Sequence, residues 1–238
     1  MEKEIKIKTT DNKTIYGTLN SENNETLAIF VHGLAGNPNE HMYYNAKKQF
    51  PKQGIDTFRF SLYSDEDDAR RLTECTIEIH AQDIDRVVNE FQDKYEQIVL
   101  VGHSLGGPSI LLSKQNVDAV ILWDPSICED LDQDIEPIPD TNMHKVDWGI
   151  EILIGEKLIK SYKAISSDQL LNKINLPTKI IFAEDSELKE KWMKTNIKDN
   201  KRADISIIEG ASHCFNEENT EIKLFAKTIE FIHEQTRE

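Results

Sequence analysis

Positive charge is scarce in this 238-residue chain: 28 Lys and Arg stand against 43 Asp and Glu, for a formal net charge of -15 at pH 7. Such a surface repels phosphate backbones and anionic lipid, which excludes nucleic acid and membrane as expected partners. Cysteine is nearly absent too. Cys75, Cys128 and Cys214 are an odd count without metal-ligand spacing, which argues against a disulfide framework or a metal site and for reduced thiols. Cys214 follows His213, but adjacent side chains rarely face one another, and it reads as packing. No apolar run reaches the length of a membrane helix. Met1-Glu2-Lys3-Glu4 opens the chain without the apolar centre of a signal peptide, so the expected location is the cytoplasm. Hydrophobic residues are only 38% and charged residues 30%, as for a compact interior under a heavily charged surface. The length suits one large domain over residues 1–238.

What is present is an alternation of strands and helices. Ile5 and Ile7 alternate with Lys6 and Lys8, and Asp11-Asn12 turns the chain into a second strand at 14–19, a hairpin. Thr26 to Val31 is nearly all apolar, as a strand covered on both faces requires. Pro38 and Glu40 open a helix that Gly54 follows, and Ile55 to Phe60 is the next strand. Between Thr76 and Tyr95, the residues Ile84, Val87, Val88, Phe91 and Tyr95 make one helical stripe. A strand at 97–101, a helix from Ser104 to about Gln115, and strands at 119–123, 178–183 and 205–208 follow. The last helix carries Ile222, Phe225, Ile229 and Ile232 on one face. This order predicts an α/β fold: a mostly parallel sheet with an N-terminal antiparallel hairpin and helices on both faces.

Residues 125–175 break the rhythm. They begin with the acidic run Glu129 to Asp134, and Gly155-Glu156 is expected to turn a strand at 148–154 back into a second strand at 157–162. A helix over 167–174 then returns to the sheet. An insertion on the side where strands end in functional loops is a candidate cap; the alternative is a surface subdomain with no substrate contact. Trp148 and Ile152 are its candidate pocket residues.

The chemistry is carried by Gly102-His103-Ser104-Leu105-Gly106-Gly107, directly after the apolar run 98–101. A strand before and a helix after place this G-x-S-x-G at a tight turn with Ser104 at its tip. The plainer reading is a glycine-rich turn with a capping serine. A serine hydroxyl needs a base, a group that orients the base, and donors for a developing oxyanion. In this topology those partners follow in the order Ser, acid, His. His213 lies among small residues between the last strand and the last helix. His32 and His103, within tight motifs, read as backbone braces; His41, His80, His144 and His233 read as solvent-facing or local hydrogen-bond partners. Asp185, just past the strand at 178–183, is the candidate acid. Asp124, at the end of the strand after the elbow helix, is the alternative acid, with an Asp-Pro turn as its simpler reading; Glu187 is a reserve. The oxyanion donors are expected to be the backbone N–H groups of Leu105 and Leu34, with Gly33 allowing the turn that aims the latter.

Phe30-Val31-His32-Gly33-Leu34-Ala35-Gly36, the elbow, Asn175-Leu176-Pro177-Thr178 and Gly210-Ala211-Ser212-His213 resemble the α/β-hydrolase superfamily over nearly the whole chain. Within it the chain is similar to small bacterial carboxylesterases of the cinnamoyl-esterase and monoglyceride-lipase-like kind. Two departures stand out. The segment 61–68 is acidic and lacks glycine, so the pocket rim is expected to differ, and the turn bearing Asp185 is shortened.

The expected activity is a serine hydrolase cleaving soluble short- to medium-chain or aryl carboxylic esters through an acyl-enzyme. Ser104, His213 and Asp185 would carry it, with no metal and no cofactor. The same residues would serve a thioesterase or acyltransferase, and a non-catalytic binding protein on the same fold is the rival from another class. The expected partners are a small-molecule ester and, among proteins, a second copy of the chain in a homodimer. Acidic segments 65–68 and 129–134 are expected at the rim, disfavouring anionic substrates.

Overall fold

The computed structural model describes residues 1–114, 116–127, 135–147 and 151–235. The hairpin that opens the chain pairs β1 (Glu2–Lys8) with β2 (Thr14–Asn20) antiparallel, with Ile7 opposite Ile15. The next strands are β3 (Thr26–Val31), β4 (Ile55–Phe60), β5 (Gln97–His103) and β6 (Ala119–Trp123). A separate three-stranded antiparallel sheet holds β7 (Ile135–Pro137), β8 (Met143–Asp147) and β9 (Glu151–Gly155). The chain then returns to the main sheet with β10 (Thr178–Ala183) and β11 (Ala203–Ile208). The main sheet has eight strands in the order β1-β2-β4-β3-β5-β6-β10-β11. β2 meets β4 antiparallel, and every pairing from β4 to β11 is parallel. This is the mostly parallel sheet with an N-terminal antiparallel hairpin that the alternation of elements predicts, and the α/β-hydrolase fold that the resemblance implies.

Central strands buried on both faces split their side chains between two cores, as the period of two demands. Leu27, Ile29 and Val31 of β3, with Ile98 and Leu100 of β5, face one core, while Ala28, Phe30, Val99 and Val101 face the other. On the first face lie α2 (Ile77–Phe91) and α3 (Gly106–Leu112); on the second lie α1 (His41–Gln49) and α7 (Thr220–Gln235). The Thr76 side chain accepts from the Ile79 N–H and starts α2. This helix ends at Phe91, short of Tyr95, whose hydroxyl reaches Asp56 at 3.0 Å.

Two expectations are corrected. The buried face of α7 is Leu224, Phe225, Thr228, Phe231 and Ile232, and Ile222 is 58% exposed. Thr228 turns inward because its hydroxyl accepts from Trp123 Nε1 at 2.9 Å and donates to the Leu224 carbonyl, so a polar residue joins the core with its bonds made. Residues 157–162 are helical rather than a returning strand. They belong to α4 (Glu156–Lys163), followed by α5 (Ser167–Leu171). Leu158, Ile159 and Tyr162 recur at helical spacing and are all buried, and Glu156 pairs with Lys160 one turn on at 2.8 Å. The expected strand at 148–154 is represented by β9; Trp148 and Ile150 lie outside the described residues, as do Cys128 and the acidic run 129–134. The last helix of the chain's middle, α6 (Glu187–Met193), follows β10.

Candidate active site

The turn from β5 into α3 is forced on the chain by close approach. A Cβ on residue 106 would come within 2.3 Å of the Val31 carbonyl oxygen, so only glycine lets α3 start against the end of β3. Ser104 takes up the strain with φ 53°, a left-handed conformation that side chains seldom adopt. Its backbone is held by hydrogen bonds: its N–H donates to Trp123 O (3.1 Å), while its carbonyl accepts from Gly107 N–H (3.0 Å) and Ser126 N–H (3.1 Å).

The loop after β3 comes up beside it. A Cβ on residue 33 would lie 2.9 Å from Ser104 Cβ, so glycine there makes room for the serine. The left-handed residue of that loop is Ala35, φ 59°, which corrects the turn-forming role expected of Gly33. His32 braces the loop: its Nδ1 bonds Gly33 O (2.9 Å) and its Nε2 accepts from the Leu62 N–H (3.0 Å). Full burial pushes its pKa down to about 4, so this doubly bonded ring is neutral. Tyr63 adds a bond from its hydroxyl to Gly33 O at 3.1 Å. The N–H groups of Leu34 and Leu105 make no hydrogen bond among the described residues, and both residues line the cavity at Ser104.

His213 is reached by a carboxylate, and that carboxylate is Asp124. Its Oδ2 lies 2.6 Å from His213 Nδ1. Asp124 is wholly buried at the end of β6, with φ 40°. Its N–H donates to Ile181 O at 2.8 Å and its Oδ1 accepts from the Ala183 N–H at 3.2 Å, so β10 holds the acid of its neighbouring strand. Asp185 does not reach the histidine. It is exposed, and its N–H donates to Ala211 O (2.9 Å) to close the turn after β10 while its carboxylate points to solvent. Glu184 Oε2 accepts from the Gly210 N–H, and Glu187 is exposed in the first turn of α6.

The loop carrying His213 is tied down in turn. His103 is buried beside it, with ring centroids 4.6 Å apart, and its Nε2 bonds the His213 carbonyl at 2.8 Å. Burial pushes its pKa down to about 3. His41 reaches far from its own segment, with Nδ1 on Glu221 Oε1 (2.8 Å) and Nε2 on Cys214 O (3.0 Å). His80 is not exposed: it is fully buried, and among the described residues neither ring nitrogen has a hydrogen-bond partner.

Ser104 and His213 open on one cavity of about 340 Å³. Its wall includes Gly33, Leu34, His103 and Leu105, and four side chains that the sequence pattern did not single out for it: Glu40, Ser126, Tyr162 and Cys214. Ser126 Oγ stands 3.1 Å from Ser104 Oγ. Its signal was proximity to Asp124-Pro125, a segment read as a turn. Tyr162 comes from α4, so the insert does reach the cavity. Ile152 does not line it; on β9 it packs against the small cluster of Cys75, Val146, Ile154, Leu158 and Ile159. The acidic loop is also corrected. Asp68 is bonded to Lys8, Thr14 and Tyr16 of the first hairpin, and Asp65 pairs with Arg71, so this loop faces the hairpin and contributes nothing to the cavity wall.

Residues 21–116 match the family described as "Putative serine esterase (DUF676)". No curated protein sequence matches the chain. Among solved structures, Est1E from Butyrivibrio proteoclasticus superposes with a TM-score of 0.79 at 20% identity, covering 99% of both chains. Est1E with ferulic acid bound gives a TM-score of 0.83 at 20% identity, over 98% of this chain and all (100%) of that one. The α/β hydrolase GrgF from Penicillium sp. sh18 gives a TM-score of 0.77 at 15% identity over 99% of each chain. These likenesses run from end to end and carry the fold. The matched segment holds both the loop after β3 and the elbow at Ser104. The chain has the α/β-hydrolase fold, and within it residues 21–116 resemble the serine-esterase family.

Proposed function

We propose that the protein cleaves soluble carboxylic esters with short- to medium-chain or aryl groups through an acyl-enzyme, using Ser104, His213 and Asp124. The observation that carries this reading is the 2.6 Å bond from Asp124 to His213 Nδ1, on a ring that shares its cavity with Ser104. A carboxylate on Nδ1 fixes the tautomer whose Nε2 is unprotonated, so that nitrogen can take the Ser104 proton as the hydroxyl attacks the carbonyl. The imidazolium that forms is stabilised by the buried Asp124 and gives its proton to the leaving alcohol. The unengaged N–H groups of Leu34 and Leu105 are suited to hold the oxyanion. Water then repeats the sequence on the acyl-enzyme and restores Ser104.

The substrate range is supported by cavity size, about 340 Å³, which suits a modest acyl or aromatic group. The ferulic acid bound to Est1E supports the aryl case by analogy. Residues 125–175 act as a cap, with Tyr162 as its contact with substrate. A cytoplasmic location remains the reading of the sequence; among the described residues no helix is long and apolar enough to cross a membrane. The deciding experiment is covalent labelling by a fluorophosphonate probe. The wild type should be labelled at Ser104 and Ser104→Ala should not. A folded wild type that stays unlabelled would turn the assignment towards a binding protein.

A further inference from the structure

Among the described residues that line the cavity at Ser104 there is one carboxylic acid, Glu40, and no Lys or Arg. It sits in the turn before α1, and the fold makes room for it. A Cβ on residue 36 would come 2.7 Å from Glu40 Oε1, so the carboxyl lies against the bare Cα of Gly36. The helix does not use this carboxyl: α1 has no side-chain cap bond from Glu40, whose role there is met by its backbone carbonyl accepting from the Tyr44 N–H at 2.9 Å. Nor does any Lys or Arg among the described residues form an ion pair with it. Burial raises its pKa, opposed by the Asn37 backbone and by the neighbouring His41 and His213 rings. A half-buried carboxyl on the cavity wall, paired with no Lys or Arg among the described residues, is a site for a cation.

Its position says which part of the substrate it meets. His213 must stand beside the leaving oxygen to protonate it, so groups gathered around the His213 loop surround the alcohol portion of the ester. Glu40 belongs to that group. The next residue, His41, is bonded to Cys214 O, and Cys214 itself lines the cavity. Tyr162 comes from the insert instead. We infer that Glu40 is a specificity residue that selects esters whose alcohol portion carries a protonated amine. This rests on the ester-hydrolase reading above. It also relocates the discrimination against anions, from the acidic loop at 65–68 to a single carboxylate inside the cavity.

The test compares three butyrate esters of similar shape: dimethylaminoethyl (cationic), isopentyl (neutral) and carboxyethyl (anionic). Each rate is corrected with Ser104→Ala as the blank. In the wild type, kcat/KM for the cationic ester should exceed that for the neutral one by about ten- to a hundred-fold, the worth of a charge-assisted bond, and the anionic ester should be poorest. In Glu40→Gln the cationic-to-neutral ratio should fall to about one, and in Glu40→Lys the anionic ester should overtake the cationic one. Ratios within one protein cancel any general loss of activity. A wild-type ratio near one, an unchanged ratio in Glu40→Gln, or an equal loss on all three esters overturns the proposal. If Ser104 still takes the fluorophosphonate in those cases, the hydrolase reading stands without Glu40. If there is neither labelling nor cleavage, both fall together.

Discussion

The turns after β6 and after β10 are the same kind of place. Each ends a buried parallel strand, each carries an aspartate, and the two strands are neighbours with Trp123 paired to Ile181. Their aspartates nonetheless live in different media. Asp124 is out of water, with its N–H bonded to Ile181 O, one carboxyl oxygen on the Ala183 N–H and the other on His213. Asp185 is exposed, and only its backbone is engaged, through Ala211 O. Chain order allows either to serve a histidine. Burial with each carboxyl oxygen bonded is what separates them, because a carboxylate removed from water holds an imidazolium far more strongly than one that water can screen.

Four measurements test this contrast. The largest effect is expected of Asp124→Asn, whose amide can donate to His213 Nδ1 and lock the wrong tautomer. Its kcat on a p-nitrophenyl ester should fall by up to about ten-thousand-fold, the loss known for this change in such sites. A loss below about tenfold would return the acid to another residue.

The second effect is on stability. His32, His80 and His103 are buried on the elbow's side of the molecule, with pKa values pushed down by burial to about 4, about 3 and about 3. Each stays neutral when folded but takes a proton near pH 6.5 when unfolded, so the unfolded state binds more protons below that pH. Stability is therefore fully present above about pH 6.5 and is lost as the pH falls towards the folded values. Each group contributes about 1.4 kcal/mol per pH unit to that slope. Urea unfolding at a series of pH values should show the slope, His80→Phe should remove one group's share, and Asp185→Asn should leave it unchanged.

A smaller change is expected of Ser126→Ala, which removes the hydroxyl 3.1 Å from Ser104 Oγ. The rate of fluorophosphonate labelling should drop by about three- to ten-fold, the range of one neutral hydrogen bond. Last, Asp185→Asn should alter kcat/KM by less than about twofold and stability by no more than about 0.5 kcal/mol, as befits an exposed carboxylate. If it behaved like Asp124→Asn, the contrast between the two turns would be lost.

Much of the architecture was legible because it is written in local periodicity. The apolar runs at 27–31 and 98–101 read as strands covered on both faces, and Gly102 to Gly107 after the second reads as a tight strand-to-helix turn. Ser104 and His213 followed from that frame, and the structure brings them to one cavity. The acid was not legible in the same way. Whether Asp124 or Asp185 meets the histidine depends on donors from a different strand, Ile181 and Ala183, and no local pattern reports that. Similarly, Gly155-Glu156 looks like a hairpin turn, while the spacing of Leu158, Ile159 and Tyr162 calls for a helix; tertiary packing decides for the helix. Glu40 was seen only as a helix opener. Its place on the cavity wall arises from the stitching of His41 to a loop 173 positions further on.

That stitching has a mechanical side. The wall behind the imidazole is fastened from three directions: His103 holds the carbonyl of residue 213, His41 holds that of residue 214, and Glu217 holds the N–H of Ser212. On the proposed mechanism, a wall clamped this way would act as an anvil that holds the ring in place beside the cavity through each turnover. Any widening that a bulkier ester demands would then come from the insert, whose Tyr162 on α4 lines the same cavity. Variation in the insert would thus change which molecules fit and how fast alcohol escapes, while the proton-handling side keeps its alignment.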